Sequence, residues 1–259
     1  MIEKITAIIP TLNEELNIEE AIASLAFADE IIVIDSYSTD KTLSICEKLN
    51  VRLIQRVFDD FSSQKNYAID QAAHNWIFIL DADERIPPDL SKEIIEKTKD
   101  PEGCVAFNIY RTFYFKGHVI RYGGWQTDKV IRLFRKEHCR YDGKLVHEQI
   151  SSQGEIGFLK NKIDHFSYRG LNQYAGKLDF YAHLQAKELI QAQKKIHFLH
   201  RWFKPGFRFL AHYMIRFGFL DGEEGYTLAK LHAKAVHQRY AEYDLIKNGR
   251  SVQTDRILN

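Results

Sequence analysis

Apolar and polar positions along the first hundred residues fall into short alternating blocks. Four β-branched runs, Ile5–Ile9, Ile31–Ile34, Val51–Ile54 and Trp76–Leu80, are apolar on both faces, as strands are when helices cover both sides of a sheet. Between them lie helical segments, about Glu14–Leu25, Asp40–Leu49 and Ser63–Ala73. Each follows residues of the kind that start helices: Asn13, Ser38-Thr39 and Ser62-Ser63. Strands and helices alternating with short links predict parallel strands and right-handed crossovers, with ligands gathering at the carboxyl ends of the strands. Pro87-Pro88 opens one more helix, to about Thr98.

The texture then changes. Cys104–Phe115 and Lys129–Arg135 are strand-like, and Gly123-Gly124 and Gly143 mark turns. From about Leu171 the chain reads as wholly helical, in three segments split near Pro205 and at Asp221-Gly222. The expected organisation is one α/β domain over residues 1–170 and a helical C-terminal region over 171–259.

Composition narrows the function classes. A length of 259 residues, with 45% hydrophobic and 27% charged, is ordinary for a globular chain of one large domain with an appendage. A net charge of +1 points away from a polyanion binder, so no nucleic-acid partner is expected. Cys46, Cys104 and Cys139 are far apart, which fits idle thiols in a reducing compartment rather than a disulfide framework or a zinc site. The first residues do not read as a signal peptide, and no run reaches the roughly 18 apolar residues of a membrane span. A cytoplasmic protein is expected, with the inner face of the cytoplasmic membrane as a place where it could work. All fourteen glycines lie at position 103 or later. The dinucleotide turn and the P-loop both need glycine at the first strand-helix junction, and here that junction is Pro10-Thr11-Leu12-Asn13-Glu14. A nucleotide would have to be held by side chains and a metal.

The strand ends carry such side chains. Strand one ends in Thr11, Asn13 and Glu14, strand two in Asp35-Ser36, and strand four in Asp81-Ala82-Asp83-Glu84. Clustered carboxylates are costly unless a cation neutralises them, and their hard oxygens suit Mg²⁺ or Mn²⁺. A bare D-x-D, taken alone, is more often a solvated loop.

The ordered set changes that weighting. Ile8-Ile9-Pro10-Thr11-Leu12-Asn13-Glu14-Glu15, Val33-Ile34-Asp35-Ser36, Ser38-Thr39-Asp40-Lys41-Thr42, Gln64-Lys65-Asn66-Tyr67-Ala68 and Leu80-Asp81-Ala82-Asp83-Glu84 together resemble the family 2 glycosyltransferases over about residues 4–90. The resemblance implies an α/β GT-A fold, a Rossmann-like mixed sheet flanked by helices, with residues 1–100 as the nucleotide-sugar half and 101–170 as the acceptor half. It implies that Thr11, Asn13, Glu14 and Asp35 line the base and ribose pocket, that Lys65 lies near the nucleotide, and that Asp81 faces the ribose while Asp83 binds the metal. Asp40 is more simply a helix cap.

The second half resembles the bacterial subgroup that adds glucose to the lipopolysaccharide inner core, through Gly123-Gly124-Trp125, Val130-Ile131-Arg132-Leu133-Phe134-Arg135, Val146-His147-Glu148, His165-Phe166-Ser167-Tyr168-Arg169 and Gly218-Phe219-Leu220-Asp221-Gly222. That implies an inverting transfer of one sugar from a UDP-sugar, UDP-glucose first, to a glycan or lipid-linked acceptor, with a divalent metal. Glu148 is the candidate general base. His165 is a candidate metal ligand, and His147 a candidate at the acceptor. Trp125 either stacks on a sugar or is a core residue, and Arg132 either faces a phosphate or points outward from its strand. Processive synthases of the wider family carry Q-x-x-R-W, whereas here Phe198 stands where the glutamine would be, before Arg201-Trp202. Transfer to a polyprenyl phosphate and an inactive scaffold with the same fold are the competing readings.

One segment is locally basic. Between Glu188 and Asp221 there is no acid, while Lys194, Lys195, Arg201, Lys204, Arg208 and Arg216 add six positive charges. Lys204, Arg208, His212 and Arg216 recur every fourth residue as one stripe. That predicts peripheral membrane contact around Lys204–Phe217, or an ordinary packed helix with its stripe in solvent.

Overall fold

The computed structural model describes residues 3–142, 149–168 and 171–249. In chain order its elements are β1 (Ile5–Thr11), α1 (Ile18–Ser24), β2 (Glu30–Asp35), α2 (Thr42–Lys48), β3 (Arg52–Gln55), α3 (Phe61–Gln71), β4 (Trp76–Ile79), β5 (Glu84–Arg85), α4 (Pro88–Lys99), β6 (Cys104–Phe115), β7 (His118–Ile120), β8 (Lys129–Arg135), β9 (Cys139–Tyr141), β10 (Ile150–Ser152), β11 (Glu155–Phe158), β12 (Ile163–Tyr168), α5 (Leu171–Gln191), α6 (Phe198–Leu210) and α7 (Gly222–Lys247). They divide into two compact units: Met1–Thr112 with Thr127–His165, and Phe113–Gln126 with Phe166–Asn259.

In the first unit the strand order is β3-β2-β1-β4-β8-β6. The first four strands are parallel, and β8 and β6 join antiparallel. Side chains along a strand alternate between faces, so β1 and β4 each feed two cores. Ile5, Ala7, Ile9, Trp76 and Phe78 pack with Ile18, Ile22 and Leu25 on one side, where Leu90 and Ile94 of α4 join them. Ile8, Ile77 and Ile79 pack with Ala68 and Ile69 of α3 on the other. Fully burying each large side chain is worth about 1.5–3 kcal/mol, which explains why strands with no polar face form the centre of this sheet. The parallel register pairs Thr11 with Asp35, and the amide of Leu80 donates to the Ile8 carbonyl. The polar residues that follow β1, β2 and β4 therefore emerge along one edge.

The second unit is built on α5, α6 and α7, with α7 packed against both others. Its core joins Phe113, Phe115, Ile120, Tyr174 and Leu228, with Trp125 against them. The helical breaks differ from the sequence expectation. The first falls after α5, where Gln193 takes a left-handed φ of 50°. The amides of Lys194 and Gln193 then bond the carbonyls of Leu189 and Ile190, the paired closure that ends many helices. Pro205 lies inside α6 instead of ending a helix. The expected break at Asp221-Gly222 is present, preceded by a π-helical turn, Ala211–Ile215, and a 3₁₀ turn, Gly218–Asp221. The Asp221 carboxylate accepts from the amides of Arg121 and Tyr122 at 3.0 and 2.8 Å. No helix among the described residues is long and apolar enough to cross a membrane.

The basic stripe is also corrected. His212 is buried, and its Nδ1 donates to the Gly123 carbonyl at 2.6 Å. Burial lowers its pKa, and Arg208 and Arg216 push the same way. His212 thus breaks the stripe, and Arg216 falls beyond the π turn.

Candidate active site

The loops after β1 and β2 are knitted together by side chains. Asn13, at a left-handed φ of 55°, donates its amide to Ser38 Oγ at 2.8 Å and accepts from the Thr39 amide at 2.8 Å. The amides of Glu14 and Glu15 donate to Thr42 Oγ1 at 2.9 Å and to Asp40 Oδ2 at 3.0 Å. Asp40 also accepts from the Thr42 amide at 2.9 Å, the cap-like role expected of it. These cross-loop bonds delay α1 and α2, which begin at Ile18 and Thr42, later than their polar starters imply. In α3 the cap is Asp60, which accepts from the Ser63 amide at 2.8 Å.

Beneath this lattice lies Asp35, fully buried. It accepts from the Ser38 hydroxyl at 2.5 Å, the Ser38 amide at 2.9 Å and Gln55 Nε2 at 3.3 Å. Thr11 ends β1 beside it, and its buried Oγ1 has no hydrogen-bond partner among the described residues. Buried hydroxyls are rarely left so, which makes Thr11 Oγ1 the orphaned group of this edge. Glu14 is partly buried and accepts from Asn17 Nδ2 at 2.7 Å.

At the end of β4 the carboxylates are held by cations. Arg132 of β8, only 4% exposed, donates to Asp81 and, at 2.8 Å, to the fully buried Glu84. Glu84 also accepts from Arg111 at 3.2 Å and from the Asp81 amide at 3.0 Å. Arg111 in turn reaches Asp128 at 2.9 Å. Lys65 of α3 is buried, its ammonium 5.0 Å from the centre of the Tyr141 ring. Burial alone would push the Asp81 carboxyl up. Arg132 first, then Lys65 and Arg111, overcome this and hold it well below the usual carboxylate range. Arg132 is therefore an inward member of the site, not an outward strand arginine.

Asp83 stands apart from that network. Its Oδ2 lies 3.4 Å from Nε2 of His165, and both side chains are partly accessible. The pairing of β12 with β5 sets His165 opposite Glu84, so the two-residue strand after the D-x-D delivers the histidine. Two ligands about 2.1 Å from one small cation and at right angles stand about 3.0 Å apart. The 3.4 Å between Asp83 Oδ2 and His165 Nε2 is close to that spacing. Among the described residues no cluster of three His, Cys, Asp or Glu side chains that could hold a metal ion is present.

Glu148 and His147 lie outside the described residues. Trp125 belongs to the second unit, stacked on Phe113 at 6.1 Å and flanked by His212 at 5.0 Å and His232 at 5.3 Å. Its partly buried ring packs against that unit's core. The residues missed by sequence reasoning are Glu84, Arg111 and Asp128. Their signal was faint: Glu84 follows the D-x-D directly, but nothing in sequence spacing ties it to Arg111 or Arg132.

Comparison with known proteins agrees with this architecture. The model of the family described as glycosyl transferase family 2 matches residues 6–154. The chain is 28% identical to the lipopolysaccharide core biosynthesis glycosyltransferase LpsC of Rhizobium meliloti, across 92% of this chain and 93% of that protein. It is 27% identical to a glycosyltransferase of Rickettsia typhi, across 99% of this chain and 93% of its relative. Among solved structures, glucosyl-3-phosphoglycerate synthase from Mycobacterium tuberculosis, in complex with Mn²⁺, UDP and glucosyl-3-phosphoglycerate, is similar over 42% of this chain and 44% of that one, with a TM-score of 0.38 and 24% identity. With more than half of its length matched and a mixed α/β sheet carrying its polar strand ends on one edge, the chain belongs to glycosyltransferase family 2 and has the GT-A fold.

Proposed function

We propose that this enzyme transfers a single sugar, glucose from UDP-glucose, to a hydroxyl of a lipopolysaccharide core or related envelope glycan, inverting the anomeric centre and using Mn²⁺ or Mg²⁺. The observation that carries the donor half is the Asp83–His165 pair, 3.4 Å apart, beside the cation-bound Asp81 at the end of β4. The likeness to LpsC across nearly the whole chain supports the acceptor class.

Asp83 and His165 would hold the metal, which when bound neutralises charge on the departing diphosphate. Thr11, Asn13, Glu14 and Asp35 form the rim for base and ribose. The orphaned Thr11 Oγ1 is available to a nucleotide without breaking any bond. Asp81, kept ionised by Arg132, accepts from a ribose hydroxyl, and Lys65 adds positive charge near the phosphates. Glu148 takes the proton of the acceptor hydroxyl as its oxygen attacks the anomeric carbon from the face opposite the diphosphate. The carbon–oxygen bond to UDP breaks, UDP leaves with the electron pair, and the glycoside forms with inverted configuration.

The test is thermal unfolding of the purified protein with UDP, GDP, CMP or dTDP, each with and without Mn²⁺, since binding to the folded state raises the melting temperature. A rise with UDP that Mn²⁺ enlarges, the Mn²⁺-dependent part vanishing in Asp83→Ala, is expected. No shift with any nucleotide at millimolar concentration would overturn the donor assignment.

A further inference from the structure

Helix α6 is amphipathic the wrong way round for a helix of a globular core. Its basic side faces α7: Arg201 pairs with Asp244 at 2.6 Å, and the Lys204 ammonium lies 6.0 Å from the centre of the Tyr240 ring. The opposite side carries Leu199, Trp202, Phe203, Phe207 and Leu210, with Phe198 at its margin. Phe198, Leu199, Trp202 and Phe203 are 69–71% exposed. The exposed apolar run continues past the helix through Met214, Ile215, Phe217 and Leu220. Single exposed apolar residues are ordinary, but a contiguous face of this size marks an interaction site.

We propose that this face lies in the headgroup region of an anionic lipid bilayer, with α6 parallel to the surface. Charge selects the occupant. Between Glu188 and Asp221 the chain has six lysines and arginines and no acid, so the segment that carries the apolar face is itself cationic. A second copy docking there by two-fold symmetry would bring like charges against like. A surface of anionic headgroups instead meets both requirements: the rings of Trp202 and Phe203 enter the acyl boundary, while the exposed Lys194 and Lys195, just before the helix, reach the phosphates along their own flexible stems. The absence of a membrane-spanning helix among the described residues fits a segment that lies on the bilayer. The residues of this face belong to the second unit and those of the donor site to the first, and the proposal does not depend on which sugar is transferred.

The experiment is co-sedimentation of the full chain, without nucleotide, on vesicles of phosphatidylcholine alone and of phosphatidylcholine with 30% phosphatidylglycerol as the probe composition. Binding to the anionic vesicles is expected to exceed binding to the neutral ones at least tenfold and to weaken as salt rises. Trp202→Ser with Phe203→Ser, both exposed and so compatible with folding, is expected to cut the partition coefficient at least tenfold with an unchanged circular dichroism spectrum. Lys194→Glu with Lys195→Glu is expected to remove most of the preference for anionic lipid. Failure to bind anionic vesicles would overturn the proposal, as would equal binding by wild type and the double serine variant. A concentration-dependent dimer that the serine variant dissociates, with no lipid binding, would assign the face to a second copy instead. The nucleotide-dependent melting shift is read separately, so either proposal can fail alone.

Discussion

Replacing Arg132 by methionine removes the cation that two carboxylates share while nearly keeping its volume. Arg132 is 4% exposed and Glu84 fully buried, so the loss falls where water cannot compensate. Breaking a buried pair from one side costs about 3–5 kcal/mol, because the other charge stays behind. Two features put this case at the lower end. Glu84 keeps Arg111 at 3.2 Å and the Asp81 amide at 3.0 Å, and the Asp81 side chain, 36% exposed, can hydrate. The expected cost of Arg132→Met is about 3 kcal/mol, and that of Glu84→Gln, which keeps an acceptor for both neighbours, about 2 kcal/mol. If the two act as one unit, the double variant loses about 3 kcal/mol rather than their sum, a coupling of about 2 kcal/mol. Urea unfolding at neutral pH, followed by circular dichroism with an unchanged denaturant slope, measures all four proteins. The acid limb gives a second reading. Because the Asp81 pKa is depressed in the folded state, its stabilisation is complete above the ordinary value near about 3.9 and is lost as pH falls through the folded value. That acid loss should flatten in Arg132→Met. Additive costs, or a single-variant cost below about 1 kcal/mol, would refute the reasoning.

Other consequences are as direct. Burial holds His232 down at about 3, with His212 and Arg208 pushing the same way. The unfolded chain takes up a proton near about 6.5 while the fold does not, so His232 should contribute a fall in stability of about 1.4 kcal/mol per pH unit from there toward 3; urea midpoints of His232→Gln should lose that part of the slope. Gly225→Ala, normally a gain in a helix, should here cost about 2 kcal/mol or more, since an added Cβ would stand 1.8 Å from the Gly218 carbonyl oxygen; a raised melting temperature would contradict that close approach. Burial first, then Asp35, pushes the Cys46 thiol up to about 11, and Cys139 is buried as well, so a thiol reagent at pH 8 should label Cys104 first and reach the other two only on unfolding.

The central sheet was legible in the sequence because β1, β2 and β4 are apolar on both faces, a pattern that few arrangements other than a helix-covered sheet can bury. Cys104–Phe115 and Lys129–Arg135 also match β6 and β8 residue for residue. The helical end was less legible for a local reason. Gln193 closes α5 in a left-handed conformation that sequence rules assign to glycine or asparagine, while Pro205, the obvious breaker, sits in α6. Helix starts were read early because Asn13 and Ser38 bond across to the neighbouring loop rather than to their own helix, and Asp40 divides its carboxylate between the Glu15 amide and Thr42. Arg132 shows the limit most sharply. In sequence it is one basic residue in an alternating strand, and only the antiparallel pairing of β8 with β4 brings it to Asp81.

That pairing bears on how a sheet without glycine loops can serve a nucleotide. A glycine-rich turn offers backbone amides to phosphate, and its charge sites need no maintenance. Here the first strand-helix junction carries side chains, and a carboxylate at the end of β4 must stay ionised while partly buried. Arg132 makes that possible for Asp81, and Glu84, shared with Arg111, keeps Arg132 in place. Asp83, outside this network and next to His165, remains available to a cation. On the proposed function, the two aspartates of one short motif are set to different work by their neighbours: one is held as an acceptor by fixed positive charge, and the other is left to recruit a mobile one. On this argument Arg132→Met should disturb nucleotide affinity with and without metal alike, whereas Asp83→Ala should abolish only the metal-dependent part. Equal loss of the metal-dependent increment in both variants, measured by titration calorimetry with UDP, would mean that the two carboxylates act as a single site.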